Sequence, residues 1–357
     1  MHLEWAEGSL SLKNMSAQKS KNVDYLIMGQ GLAGSILAYK LSKKNSILVI
    51  DNANTSSASR VAGGLLNPIT GRRMVINENL DALLPCSIDF YQTLEKEFND
   101  TFFYKRNILR LCNKEKDKTV LEKRYNDPEY QPYLGETFKE NTFTELKDDK
   151  GSFEIINGGF IDTRNFLDNC KQYFKDKESY IENQIQYNDI NVSEDCIQWK
   201  HIKAKNIIFC EGYKISENPW FQDLNLNPVK GDILTIKLEK ELTEKITSRI
   251  ISKGKWIIPL DKNTAKVGST YTRESLDEIP TKEGKEEVLD ALANILELKN
   301  NSIEVIEHKA SVRPYTEDMK PIMKPHSEHK NMFIFNGFGS KGSLLIPLLA
   351  DKFMSTL

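Results

Sequence analysis

Apolar positions fall first into a run over residues 23–28 (VDYLIM) and a second over 47–50 (ILVI), and between them Leu32, Ala33, Ile36, Leu37 and Leu41 recur at helical spacing. Short apolar runs bounded by glycine read as buried strands, and the intervening periodicity predicts a helix over about 32–43 with one face on the sheet. After Pro85, which suits a first helical position, Ile88, Tyr91, Leu94 and Phe98 are spaced for one buried face. Residues 108–112 form a short strand-like piece in a charged stretch, 158–163 mark a turn and a helix entry, and 179–187 and 206–210 read as further strands. The pattern is strand-rich over 229–236 and 256–271, with turns at Gly254 and 261–263, and predicts a mostly antiparallel sheet. Residues 333–335, a glycine turn and an apolar segment over 344–354 repeat the strand, turn, helix order. The first residues have no sustained periodicity, so 1–21 are expected to be a flexible extension.

The turn between the first strand and the first helix reads Gly29-Gln30-Gly31-Leu32-Ala33-Gly34, and the second strand closes on Asp51, 22 positions after Gly29. This is the dinucleotide-binding order: Gly29 for the tight turn, Gly31 for backbone approach to a pyrophosphate on the helix N-terminus, and Gly34 for close helix packing. The interval to Asp51 matches the roughly 20 residues that bring a carboxylate to a ribose, which favours an unmodified 2′-hydroxyl. Beyond it, 56–68 is a small-residue segment whose Gly63 and Gly64 permit close backbone approach to a ligand, although a plain loop explains it as well.

Composition narrows the rest. At 357 residues the chain is long enough for about two domains, and a net charge of −2 from 49 basic and 51 acidic residues gives no bulk signal for nucleic acid or anionic lipid. No run of 18 apolar residues exists and no secretory pattern opens the chain, so neither a membrane partner nor secretion is expected and the expected compartment is the cytoplasm. Cys86, Cys112, Cys170, Cys196 and Cys210 show no CxxC spacing, which argues against a zinc site and a disulfide framework.

Five motifs in order resemble the D-amino-acid oxidase and glycine oxidase family of FAD-dependent oxidoreductases: residues 29–34, 59–68, Pro228-Val229-Lys230-Gly231, 256–260 with Val267-Gly268-Ser269-Thr270, and Arg313-Pro314 through Gly342. The last, Gly337-Phe338-Gly339-Ser340-Lys341-Gly342, is also similar to the flavin-oxidase half of the bifunctional enzyme of tRNA 5-methylaminomethyl-uridine biosynthesis. The resemblance implies an α/β chain: a Rossmann-like FAD-binding domain from 22–98, 155–215 and 311–357, and an inserted α+β substrate domain from 99–154 and 216–310. It places Ser59, Arg60, Gly63, Gly64 and Leu65 along the diphosphate and flavin, Asn52 and Gly212 in the cofactor site, and Ile185 on the strand whose backbone meets the adenine. FAD is expected to be dissociable, because no cysteine is near Arg313 for a covalent link.

By the same resemblance Arg313 is at the carboxylate-binding position; the plain alternative is a structural salt bridge. Gly337, Gly339, Ser340, Lys341 and Gly342 supply a helix N-terminus for negative charge on the reduced flavin, with Lys341 either adding charge or simply solvated. Trp256 stands where the family often carries tyrosine, and it and Tyr271 are pocket candidates or plain core. Arg72 and Arg73 depart from the family pattern and are either surface charges or contacts to an anionic substrate. The expected activity is oxidation of the C–N bond of a small amine or amino acid by hydride transfer to flavin; the alternative is a tRNA wobble-uridine oxidase. A flavin-binding protein without catalysis is a third reading, carried by Trp256 and by the unusual Glu211 before Gly212.

Overall fold

The computed structural model describes residues 20–357 except 185, 240, 241, 243–245, 247 and 299–302. The expected extension over 1–21 therefore lies outside the described residues apart from its last two, and Lys21 already opens the first strand, Lys21–Met28. Ile185 also lies outside them.

Two large sheets organise the chain. In the first, the strands Tyr180–Glu182, Ile47–Asp51, Lys21–Met28 and Ile202–Phe209 run parallel in that spatial order. The far edge of Ile202–Phe209 is shared: its first half pairs with the hairpin strand Ile197–Trp199, its second half with the parallel strand Met332–Asn336. The second sheet has the order Glu304–Arg313, Val229–Lys237, Thr264–Gly268, Lys255–Pro259, Arg249–Lys253, Asn107–Leu111, Ser152–Ile155, Leu134–Phe138. Every pairing in it is antiparallel except Arg249–Lys253 with Asn107–Leu111. This is the mixed α/β architecture expected.

The first sheet is covered on both faces, as parallel sheets require. One face packs on the helices Leu32–Ser42, Leu80–Phe98, Thr163–Asp176 and Gly342–Met354 through a core including Ile36, Tyr91, Phe166, Phe335 and Phe353; the other carries Leu26, Met28, Trp199 and Phe209. Leu32–Ser42 departs from the single buried face expected of it: Gly34, Ser35, Ile36, Leu37, Ala38, Tyr39 and Leu41 are all buried. It lies between the sheet and two further helices, and local periodicity does not report that outer layer.

Pro85 is also placed differently. The helix starts at Leu80, not at Pro85, because Leu80, Leu83 and Leu84 extend its buried stripe toward the N-terminus. The missing amide of Pro85 leaves the Asp81 carbonyl without its helical partner, and both residues are exposed, on the side of the helix away from the core.

Phe166 is fully buried and packs edge-on against Tyr91 and Phe102, with centroids 5.5 and 5.2 Å away. Phe166→Ala is expected to destabilise by about 3–5 kcal/mol, seen as a lower urea midpoint at unchanged slope.

Candidate active site

The parallel strands of the first sheet end together, and Gly29, Asp51, Cys210 and Asn336 at or just beyond those ends open onto a cleft of about 1610 Å³. Ligands of open α/β sheets bind at such carboxyl ends. The opposite wall is a row across the second sheet in which Arg110, Ser252, Trp256, Gly268 and Ile233 are successive register partners; all but Gly268 line the cleft.

On the first wall, Gly29 takes a φ of +102°, and a Cβ on Gly34 would lie 1.9 Å from the Gly29 carbonyl oxygen. Glycine at both positions lets the helix start directly above the strand end. Asp51 accepts backbone N–H bonds from Gln30 at 2.8 Å and from Ala53 at 2.7 Å, which fixes its carboxylate at the cleft. Ser59 Oγ accepts from the Leu32 amide at 3.0 Å. The Arg60 guanidinium pairs instead with Asp168 at 2.6 Å, so its charge is already matched. Asn52 bonds Gln184 at 3.0 Å.

On the other side, Arg313 Nη1 donates to Ser269 Oγ at 2.9 Å, and Nη2 donates to the carbonyls of Thr270 and Lys230 at 2.8 and 3.3 Å. The Tyr271 ring lies 4.2 Å from its Cζ. Among the described residues no carboxylate lies within ion-pair distance of Arg313, so the structural salt bridge is absent. Three of its five N–H groups are used, and Nε–H and one Nη1–H have no hydrogen-bond partner among the described residues. Gly231 makes room, because a Cβ there would lie 2.1 Å from Nη2.

Of the residues singled out from sequence, Gly29, Gly31, Leu32, Ala33, Asp51, Asn52, Ser59, Arg60, Gly63, Gly64, Leu65, Gly212, Trp256, Tyr271, Arg313, Gly339, Ser340, Lys341 and Gly342 line this one cleft. Gly34 and Gly337 do not; they shape it from behind. Trp256 packs against Gly63 and the edge of a core cluster while lining the cleft, and Tyr271 is 60% exposed, so Tyr271 is not plain core. Lys341 Nζ donates to Asn77 at 2.6 Å, and burial lowers its pKa.

Sequence reasoning assigned no role to Ser269, Thr270, Tyr315 or Lys266. Tyr315 bonds Ser340 at 2.7 Å, and burial pushes its phenol up to about 12. Lys266 is a half-buried cation near Gly63, lowered by desolvation, donating to the Ala62 carbonyl at 3.3 Å. Only alternation along its strand with Gly268 signals its inward direction. Glu211, flagged as unusual, lines the cleft and is pushed up to about 7 by burial, against the opposing hydrogen bonds of Asn218 and Tyr187, each 3.0 Å long.

The residues fit a flavin dinucleotide. The helices Leu32–Ser42 and Gly342–Met354 both begin at the cleft, at Gly31 and Lys341, and neither N-cap side chain satisfies its first amides. Such N-termini favour anionic groups. Asp51 stands at ribose distance in sequence, and the cradle is built of glycines. Fold and site together define a dinucleotide-binding flavoprotein.

The sequence profile of the FAD dependent oxidoreductase (DAO) family matches residues 24–354, and the chain belongs to that family. It is 19% identical over 351 residues to the tRNA 5-methylaminomethyl-2-thiouridine biosynthesis bifunctional protein MnmC of Marinobacter nauticus, covering 91% of this chain and 54% of that protein. It is 26% identical over 163 residues to glycine oxidase of Pseudomonas putida, covering 43% of each. The chain thus spans about half the length of the curated MnmC relatives it matches at greatest length. Its fold is similar to the crystal structure of glycine oxidase from Geobacillus kaustophilus, with a TM-score of 0.80, 18% identity and 94% of both chains covered. The protein is an FAD-dependent oxidoreductase. Among the described residues no helix is long and apolar enough to cross a membrane.

Folded Glu211 keeps its proton to about pH 7, against 4.5 as the ordinary value. Unfolded chains release that proton first, so stability falls as pH rises from about 4.5 to 7. Glu211→Gln is expected to flatten this slope, by on the order of 3 kcal/mol across the window, in denaturant titrations at pH 5 and pH 8.

Proposed function

We propose that this chain oxidises the C–N bond of a small amine that carries a carboxylate, such as an amino acid, with FAD as hydride acceptor. The observation that supports this most is Arg313, a guanidinium in the cleft with no acidic partner among the described residues, aimed by three neutral acceptors. A carboxylate accepting from one of its remaining N–H groups would balance that charge through a charge-assisted hydrogen bond.

FAD supplies the electron sink when bound. The chain's own groups do the rest. Arg313 orients the substrate carboxylate, and Tyr271 over the guanidinium covers that end. Trp256, packed on Gly63, walls the reacting carbon from water. The amine loses a hydride from carbon and a proton from nitrogen to give an imine, and water then cleaves the C–N bond. The N-terminus of Gly342–Met354, with Lys341 beside it, favours the negative charge that accumulates in the cleft on reduction. We assign Gly29, Gly31, Asp51 and Gly339 to Gly342 to cofactor binding. We also infer that 22–98, 155–215 and 311–357 form the FAD-binding domain and 99–154 with 216–310 the substrate domain; membership of the two large sheets supports this division.

The test is the visible spectrum of the anaerobic FAD-loaded protein with glycine, sarcosine and D-amino acids. Bleaching by one of them is expected, and Arg313→Met should raise its KM by about 100-fold or more. No bleaching by any carboxylate-bearing amine, free or on RNA, defeats the reading.

One observation favours a second reading, a tRNA-borne amine. Arg72 and Arg73, exposed in the turn between Ile69–Thr70 and Val75–Ile76, line the cleft mouth with Arg110, Lys114 and Lys116. None of the five forms an ion pair among the described residues, and the MnmC relatives are named for tRNA. On that reading undermodified tRNA bleaches the flavin where free amino acids do not, and Arg72→Gln with Arg73→Gln lowers the salt dependence of tRNA binding by about two phosphate contacts.

A further inference from the structure

We propose that Asp232 is a positioning residue for Arg313, acting through a buried Asp232–Thr270–His308 network on the far face of the substrate sheet. The proposal rests on the reading of Arg313 as the carboxylate-binding group.

Alternation along Val229–Lys237 sends Gly231 and Ile233 to the cleft and Asp232 to the opposite face, where it is 1% exposed. Its carboxylate receives three donors: His308 Nε2 at 2.8 Å and the Thr281 amide at 3.1 Å on Oδ1, and the Thr270 hydroxyl at 3.2 Å on Oδ2. A Cβ on Gly284 would sit 2.4 Å from the Asp232 carboxyl carbon, so the first turn of Lys282–Ala293 closes directly over the group.

Capping that helix does not account for the arrangement, because Thr281 Oγ1 itself accepts from the Gly284 amide at 3.0 Å. What Asp232 holds besides is Thr270, at three points. The Asp232 amide donates to Thr270 Oγ1 at 2.8 Å, that hydroxyl donates to Oδ2, and the Thr270 amide donates to the Asp232 carbonyl at 3.2 Å. With its amide and hydroxyl both fixed, Thr270 can direct its carbonyl one way only, at Arg313 Nη2. Neighbouring Ser269 presents its hydroxyl to Nη1, and its own carbonyl is tied to Lys255 Nζ at 2.6 Å. Neutral acceptors that aim an unpaired guanidinium need such rigid backing, since a small misplacement of a binding group costs substantial affinity.

The chemistry of the network identifies the variants. Three donors converge on Asp232, and a carboxamide has only one acceptor oxygen, so Asp232→Asn leaves donors facing its NH2 group. Thr270→Val removes the hydroxyl at nearly constant shape, whereas Thr270→Ser keeps it. The probes are benzoate and acetate titrated into the oxidised FAD-loaded protein and followed by perturbation of the flavin spectrum, with melting temperature and FAD content measured on the same preparations. Asp232→Asn and Thr270→Val are expected to weaken carboxylate binding about tenfold and to raise KM for the bleaching amine with little change in kcat; Thr270→Ser restores both. Lower melting temperatures with wild-type carboxylate affinity in these variants overturn the proposal and leave only a structural role. If Asp232→Asn does not fold, the Thr270→Val and Thr270→Ser pair decides alone. Arg313→Met separates the two levels: if it binds carboxylate as the wild type does, the reading of Arg313 itself falls, whereas loss there with no loss in the network variants removes this proposal only.

Discussion

A methyl group on Gly34 would stand 1.9 Å from the carbonyl oxygen of Gly29, inside any permissible contact. Because hydrogen takes its place, the helix Leu32–Ser42 can begin at the very end of the central strand. Its first turn, of which Ser59 takes the Leu32 amide, then faces the same opening as Asp51, which is tied to the loop by the Gln30 amide. Every other wall of the cleft is arranged around that junction. Cys210 packs against it from the neighbouring strand, the segment with Gly63 and Gly64 borders the opening, and the second sheet closes on it through Trp256. A larger residue at Gly34 would push the helix outward and separate its first amides from the Asp51 carboxylate.

Charge in the cleft is distributed unlike charge elsewhere on the chain. On the surface, lysines pair with acids, as Lys40 does with Asp351 and Lys171 with Glu182. Toward the cleft, Arg313, Arg110 and Lys341 are held by carbonyls, a hydroxyl or an amide oxygen instead. A protein of net charge −2 thus keeps cations without acidic partners among the described residues beside the cleft of its anionic FAD cofactor. Neutral dipoles orient such cations without cancelling them, which a carboxylate partner would do.

The dinucleotide half was readable because its signals are local: glycines at fixed spacing, an apolar strand on each side and an acid at a set interval. The same holds for the C-terminal strand, glycine turn and helix. Arg313 was singled out through motif order, and although Ser269 and Thr270 stand in another of the motifs, nothing joined them to it, because they lie over 40 residues away in sequence and reach it only through the fold of the sheet. Pro85 misled because a proline is tolerated inside a helix wherever the carbonyl it orphans faces water. Lys266 and Glu211 show the same limit: a charged letter in a strand or at a strand end says nothing of burial until the covering layer is known.

The divided edge of Ile202–Phe209 bears on how the chain is made. Met332–Asn336 pairs with a sheet whose first strand is finished about 300 residues earlier, and until it docks, the second half of that edge is bare. During synthesis the nucleotide fingerprint therefore emerges about 300 residues before its last strand neighbour and before the helix N-terminus at Lys341. While residues 210–332 are being made, the hydrophobic edge at Ile207, Ile208 and Phe209 is open to strands of other chains, which makes that interval the one where chaperone protection matters most.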